Sequence, residues 1–165
     1  MANYEIEIDV PTQSLILRDK TTGKNIIEVG VSTAANGVGE ENGSETTPRG
    51  KHTICARIGD GQPVNAVFVG RRPTGERYTE GMRKLHPQRD WILTRILWLK
   101  GCEKGKNRMG AVDTMRRYIY IHGAPDDVAM GVPGSHGCIR MRNEDIVRLF
   151  DLVEVGTPVN ITGEP

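Results

Sequence analysis

Apolar and charged residues alternate near the start of the chain: Tyr4, Ile6, Ile8 and Val10 are separated by Glu5, Glu7 and Asp9. Period two is the pattern of a half-buried strand, because successive side chains point to opposite faces. Pro11 and Thr12 end this strand, residues 14–18 resume as a second, and Thr21-Thr22-Gly23-Lys24 turns the chain into a third over 25–31. The opening therefore predicts a β-meander. Strands are also expected at 51–58, where His52 shares the alternate face of Ile54, Ala56 and Ile58, and at 64–69. Residues 91–99 are the most apolar stretch, and Ile92, Thr94, Ile96 and Trp98 favour strand over a short helix. Tyr118-Ile119-Tyr120-Ile121 alternates into His122, and 156–161 closes the chain as a last strand.

The period lengthens once. Ile146, Leu149, Phe150 and Val153 recur at i, i+3, i+4 and i+7, the stripe of a helix packed on a sheet. Asn143 reads as its N-cap, with Glu144 and Asp145 favourably placed in the first turn. A short helical turn is expected at 112–116. Residues 32–45 read as a Gly-rich surface loop and 101–110 as a solvated basic loop. Residues 71–89 are polar and aperiodic, as a functional lid or a disordered loop would be, with His86 on the surface. Pro125, Gly131 and Pro133 make 123–134 a loop that brings Cys138 back to face His122. Many short strands and about one real helix, with no repeat or linker, predict a single β-rich domain over 1–165.

Composition removes several classes of function. A net charge of +1 argues against a broad nucleic-acid surface. No run of eighteen apolar residues is present to cross a membrane as a helix. The segment Met1-Ala2-Asn3-Tyr4-Glu5 lacks the basic start and apolar core of a secretory leader. The expectation is a cytoplasmic protein if Met1 is the natural start, and a periplasmic one if a leader has been removed. Three cysteines (Cys55, Cys102 and Cys138) cannot all pair within one chain, which fits a reducing compartment.

The chemistry concentrates in Ser135-His136-Gly137-Cys138-Ile139-Arg140, with Ile121-His122-Gly123 shortly before it. A thiol attacks carbonyls as thiolate, and a neighbouring imidazole promotes that form. His122 ends a predicted strand, a rigid mount for a base. Gly137 allows close backbone approach to a substrate and N–H groups aimed at a developing oxyanion. Two other readings stay open here. Cys138 taken alone reads more readily as a small buried hydrophobe, and the two histidines, the glycine and the flanking serine shift the reading towards function. His122, His136, Cys138 and Cys102 supply four potential zinc ligands, though without Cys-x-x-Cys or His-x3-His spacing.

These residues resemble the signature of the L,D-transpeptidase (YkuD) family, an upstream His joined to a Ser/Thr-His-Gly-Cys segment. Thr47-Pro48-Arg49-Gly50-Lys51 is similar to the family's Thr-Pro-x-Gly turn, and Gln13-Ser14-Leu15-Ile16-Leu17 to its early strand. The resemblance thus spans essentially the whole chain. It implies a mainly β fold, a β-sandwich-like mixed sheet with one or two short helices, one following the cysteine motif. In the family, an insertion near 71–89 covers the active site. The implied activity is acyl transfer on peptidoglycan stem peptides, cleaving the diaminopimelate–D-Ala bond through a thioester. Cys138 would be the nucleophile and His122 its base. The Gly123 carbonyl would orient the histidine, and backbone N–H groups around Gly137 and Cys138 would meet the oxyanion. Ser135, His136 and Arg140 are the substrate-binding candidates; a structural salt bridge is the alternative for Arg140. No cofactor or metal is called for, and β-lactams of the carbapenem type are expected to acylate Cys138.

Arg140 stands where many family members carry Asn, and the spacing from His122 to Ser135 is short for the family. The apparent lack of a leader leads to the expectation that water accepts the acyl group, an L,D-carboxypeptidase of murein recycling. The alternative is a transpeptidase that cross-links wall strands or exchanges D-amino acids. A non-catalytic wall-peptide-binding module or a zinc-stabilised domain is a third reading.

Overall fold

The structure, a computed structural model, describes residues 3–164, so Met1 and Ala2, on which the reading of the chain start depends, lie outside it. The opening meander forms as expected: β1 (Tyr4–Asp9), β2 (Ser14–Asp19) and β3 (Asn25–Gly30) pair antiparallel in sequence order. There follow β4 (Gly50–Ile58), β5 (Ala66–Val69), β6 (Arg72–Arg77), the short helix α1 (Glu80–Leu85) and β7 (Ile92–Gly101). The chain ends with β8 (Tyr120–Gly123), β9 (Ile139–Met141), the helix α2 (Asn143–Leu152) and β10 (Pro158–Thr162). Among the described residues, ten strands join one sheet in the order β3-β2-β1-β10-β4-β7-β5-β6, and β8 branches from β7 to hold β9. Two pairings are parallel, β1 with β10 and β8 with β9, so the sheet is mixed.

Alternation along the strands sorts side chains onto two faces. Ile6, Ile8, Leu15, Leu17, Ile54, Leu97, Leu99, Ile121, Ile139 and Met141 point into one core with α2. Ile146, Leu149 and Phe150 of α2 have no exposed surface, each contributing about 1.5–3 kcal/mol by burial. The intervening residues of β7 and β8 face the other way: Ile96 and Tyr120 are buried with Ala66 and Phe68, and Trp98 and Cys138 pack against them. That second face carries Cys138.

Several expectations are corrected. Residues 71–89 are largely ordered, because β6 pairs with β5 and Trp91 anchors the remainder. Tyr78 meets the Trp91 ring edge-on at 5.1 Å, and the Arg89 guanidinium lies 4.4 Å above it. Tyr118, expected in the strand leading to His122, sits in a turn with φ 57°, so β8 begins only at Tyr120. Asn143 is the first residue of α2, preceded by Arg142 as N-cap. Its buried side chain accepts from Thr94 Oγ1 at 2.6 Å and donates to Asn65 Oδ1 at 2.9 Å. The helical turn expected at 112–116 is a 3-10 turn at Gly110–Val112.

Candidate active site

The parallel pairing of β8 with β9 builds the site. Its register sets Ile121 beside Ile139 and His122 beside Arg140. Ile121 and Ile139 both point into the core, so Tyr120, His122, Cys138 and Arg140 share the opposite face. The two signature segments, separated by a loop in sequence, thereby meet on one face.

His122 is fully buried, and its Nδ1 lies 2.6 Å from the Gly123 carbonyl oxygen. A carbonyl only accepts, so Nδ1 carries the proton and Nε2 holds a lone pair whenever the ring is neutral. Nε2 is buried and has no hydrogen-bond partner among the described residues. Burial, first, lowers the His122 pKa; Arg140 adds to this, while Asp90 and the Gly123 bond oppose it. The ring is thus a neutral base with a free nitrogen. Gly123 is glycine for a steric reason: a Cβ there would lie 2.5 Å from Asn143 Oδ1 and 2.6 Å from the Leu93 carbonyl oxygen.

Cys138 is half-buried at the edge of a cavity of about 460 Å³, with Phe68, Arg71, Asp90, Tyr120 and His136 in its walls. The thiol donates to the Tyr118 carbonyl at 3.4 Å and accepts from the Tyr120 N–H at 3.3 Å, and among the described residues it makes no hydrogen bond to His122 Nε2. The φ of 57° at Tyr118 sits in the left-handed region, and Tyr118 supplies this acceptor. Burial pushes the Cys138 pKa up to about 12; the Tyr120 N–H and Arg117 pull against it, and Asp90 adds to the rise. Thiol and imidazole both rest neutral.

The loop before Cys138 is fixed by its own hydroxyls. Thr47 Oγ1 donates to the Gly137 carbonyl oxygen at 2.9 Å and accepts from the Ala34 N–H at 3.0 Å. This ties the Thr-Pro turn to the cysteine loop. Ser135, expected to contact substrate, is buried; its hydroxyl donates to the Cys138 carbonyl oxygen at 2.5 Å and accepts from the Gly137 N–H at 3.2 Å. Ser135 therefore shapes the loop, and the Gly137 N–H is engaged. The Cys138 N–H makes no hydrogen bond among the described residues, leaving it as the available oxyanion donor. Gly137 adopts φ 134°, and a Cβ there would meet Ile119 at 3.1 Å and the Thr46 carbonyl oxygen at 3.2 Å.

His136 is exposed and lines both this cavity and a second, of about 340 Å³, that contains Arg140. Arg140 makes no ion pair among the described residues; its Nη2 donates to Ser32 Oγ at 2.8 Å. The salt-bridge alternative for Arg140 is thereby overturned. Two larger hollows, of about 570 and 560 Å³, are lined by Arg49 and Lys106 and contain neither Cys138 nor His122. The zinc candidates are not assembled: among the described residues no three His, Cys, Asp or Glu side chains group closely enough to hold a metal ion.

Several lining residues carried no signal in the sequence. Asp90 borders both cavities. Arg117, inside an unremarkable basic pair, donates to the Thr46 carbonyl oxygen at 2.6 Å beside the cysteine. Arg71, at the tip of the β5–β6 hairpin, donates to the Tyr120 hydroxyl at 3.1 Å and lies 4.7 Å above the Trp98 ring.

Known proteins share this architecture. A mycobacterial L,D-transpeptidase, from Mycobacterium smegmatis, superposes with a TM-score of 0.58 over 98% of this chain and 59% of its own, at 20% identity. L,D-transpeptidase 3 from Mycobacterium tuberculosis, solved with a faropenem-derived adduct, gives a TM-score of 0.60 over 98% of this chain and 61% of its own, at 15% identity. At such identities the likeness establishes the fold. The probable L,D-transpeptidase YbiS of Escherichia coli is 49% identical over 49 residues, 30% of this chain and 16% of that protein. The chain thus matches under a fifth of that relative's length. The L,D-transpeptidase catalytic domain model (YkuD), however, matches residues 3–161, nearly the whole sequence, and the chain belongs to that family.

Proposed function

We propose that this chain is a cysteine acyltransferase acting on peptidoglycan stem peptides. The observation that carries the reading is the β8–β9 face, where a neutral imidazole with a free Nε2 neighbours a thiol open to a cavity. Membership of the L,D-transpeptidase family supports the substrate class.

Cys138 Sγ rotates to His122 Nε2, which takes the thiol proton as sulfur bonds to the carbonyl carbon between diaminopimelate and D-Ala. The Cys138 N–H meets the oxyanion, an interaction worth about 3–4 kcal/mol per donor in other enzymes. Collapse breaks the C–N bond, and His122 returns the proton to the departing D-Ala amine. Water then attacks the thioester carbon, giving a proton to His122; the C–S bond breaks, the stem leaves with a free diaminopimelate carboxyl group, and His122 returns the proton to sulfur. Because both groups rest neutral, His122 acts as a general base and no thiolate–imidazolium pair stands ready beforehand.

Water is the acceptor in this proposal because Cys138 keeps an exposed edge and water needs no built site, so the activity is L,D-carboxypeptidase. An amine acceptor, giving L,D-transpeptidation, is the alternative that the two-lobed cleft accommodates.

Mass spectrometry of a tetrapeptide stem incubated with wild type and with Cys138→Ala tests this, with and without an added D-amino acid. Loss of D-Ala by wild type alone, unaffected by the added amino acid, is expected. Incorporation of the D-amino acid would replace water by an amine. No reaction on any stem, together with no Cys138 adduct from faropenem, would overturn the acyl-transfer reading.

A further inference from the structure

The second cavity adjoins that of Cys138 and holds two opposite charges, Asp90 and Arg140, that make no close ion pair among the described residues. Its cationic walls include Arg83, Arg89 and Arg140. Arg83 is paired with Asp127, and Arg89 with Glu76 at 3.4 Å. Asp90 and Arg140 are different: neither makes an ion pair among the described residues, although both line this space. Arg140 Nη2 donates to Ser32 Oγ and packs over Gly134, where a Cβ would lie 2.4 Å from it. Its Nε is buried with no hydrogen-bond partner among the described residues. A half-satisfied, partly buried guanidinium is costly unless an anion completes it. Burial already lowers the Arg140 pKa, and only Asp90 acts to restore it.

Asp90 also lines the Cys138 cavity, as does His136, so the two cavities meet at these residues. The space beside Cys138 is therefore continuous past Asp90 with the space beside Arg140. The fixed cation and the separate carboxylate together present the complement of an α-amino acid end, one carboxylate and one ammonium on the same carbon.

We propose that the Asp90–Arg140 cavity binds the free amino-acid end of the donor residue's side chain, its carboxylate on Arg140 and its ammonium on Asp90. The proposal builds on the acyl-transfer reading and makes the pair a specificity device. The planar fork of Arg140 suits a bidentate carboxylate, which a lysine would meet only as a point charge.

The test uses four stem tetrapeptides that differ only at the end of the third side chain. One has free ammonium and carboxylate, one an amidated carboxylate, one an acetylated amine, and one a plain hydrocarbon. Wild type is expected to process the first with a kcat/KM about tenfold to a hundredfold above each blocked stem, the range of a charge-assisted contact. Asp90→Asn is expected to remove the penalty for acetylation while keeping that for amidation, and Arg140→Met the reverse. Arg140→Lys is expected to recover part of the carboxylate preference. A merely structural role for either residue would lower all four rates together, and that pattern would overturn the proposal. Equal turnover of all four stems by wild type would overturn it while leaving the acyl-transfer reading intact. No turnover of any stem, with no faropenem adduct on Cys138, would remove both.

Discussion

The thiol of Cys138 rests between the Tyr118 carbonyl and the Tyr120 N–H, and burial there pushes its pKa up to about 12. In the proposed mechanism the nucleophile is therefore stored as the protonated thiol, inert until substrate or rotation brings it to His122. Alkylation of Cys138 by iodoacetamide in the free protein should be slow at neutral pH. It should rise about tenfold per pH unit through the alkaline range with no plateau below about pH 10, since only the thiolate reacts. Peptide mapping separates this site from exposed Cys102. A plateau near pH 7 would mean that a preformed thiolate–imidazolium pair dominates instead. Gly123 and Gly137 belong to the same scale: one lacks room for a Cβ, and the other combines a left-handed φ with close neighbours.

β7 and α2 set the position of His122 from outside the signature. β7 is irregular between Leu93 and Ile96, where Thr94 takes φ 74°, a strained conformation for a β-branched residue. Thr94 Oγ1 donates to Asn143 Oδ1 and accepts from the Asn65 N–H at 3.0 Å, which compensates that strain. Asn143 Oδ1 is also what a Cβ on Gly123 would strike, so this network backs the carbonyl that holds His122. Asn143→Ala leaves the Thr94 hydroxyl and the Asn65 amide oxygen without this partner and should cost about 1–3 kcal/mol, read as a lower urea midpoint. It should also lower kcat for acylation, because Gly123 loses its backing. Unchanged stability would show that water replaces the amide at no cost. The β5–β6 hairpin works from the other side, with Arg71 at its tip stacked on Trp98 as a wall of the Cys138 cavity.

For the molecule as a whole, buried histidines tie stability to pH. His52 is 1% exposed, its Nε2 3.0 Å from Thr114 Oγ1, and burial lowers its pKa from 6.5 to about 4. It stands on β4 as a structural residue and lines neither site cavity. Below pH 6.5 the unfolded chain binds a proton that the folded one refuses until about pH 4. Stability is therefore full above that window and declines as pH falls through it, by about 3 kcal/mol from His52 alone. His122, also depressed by burial, acts in the same direction. Urea unfolding at about pH 7.5 and about pH 4.5 should show this loss, and His52→Gln should reduce it. Equal midpoints would contradict a buried neutral His52. The sequence by itself determined the meander, the helix stripe from Ile146 to Val153 and the two signature segments, because period and local chemistry are written in neighbouring residues. It also made Cys138 and His122 the candidates for nucleophile and base. Only the tertiary structure decided that Ser135 braces its loop, that Asn143 serves β7 as much as α2, and that the polar stretch between β5 and β7 brings Arg71 and Asp90 to the site. Those outcomes depend on which distant strands pair and on what a side chain meets across the sheet, and no local period records that.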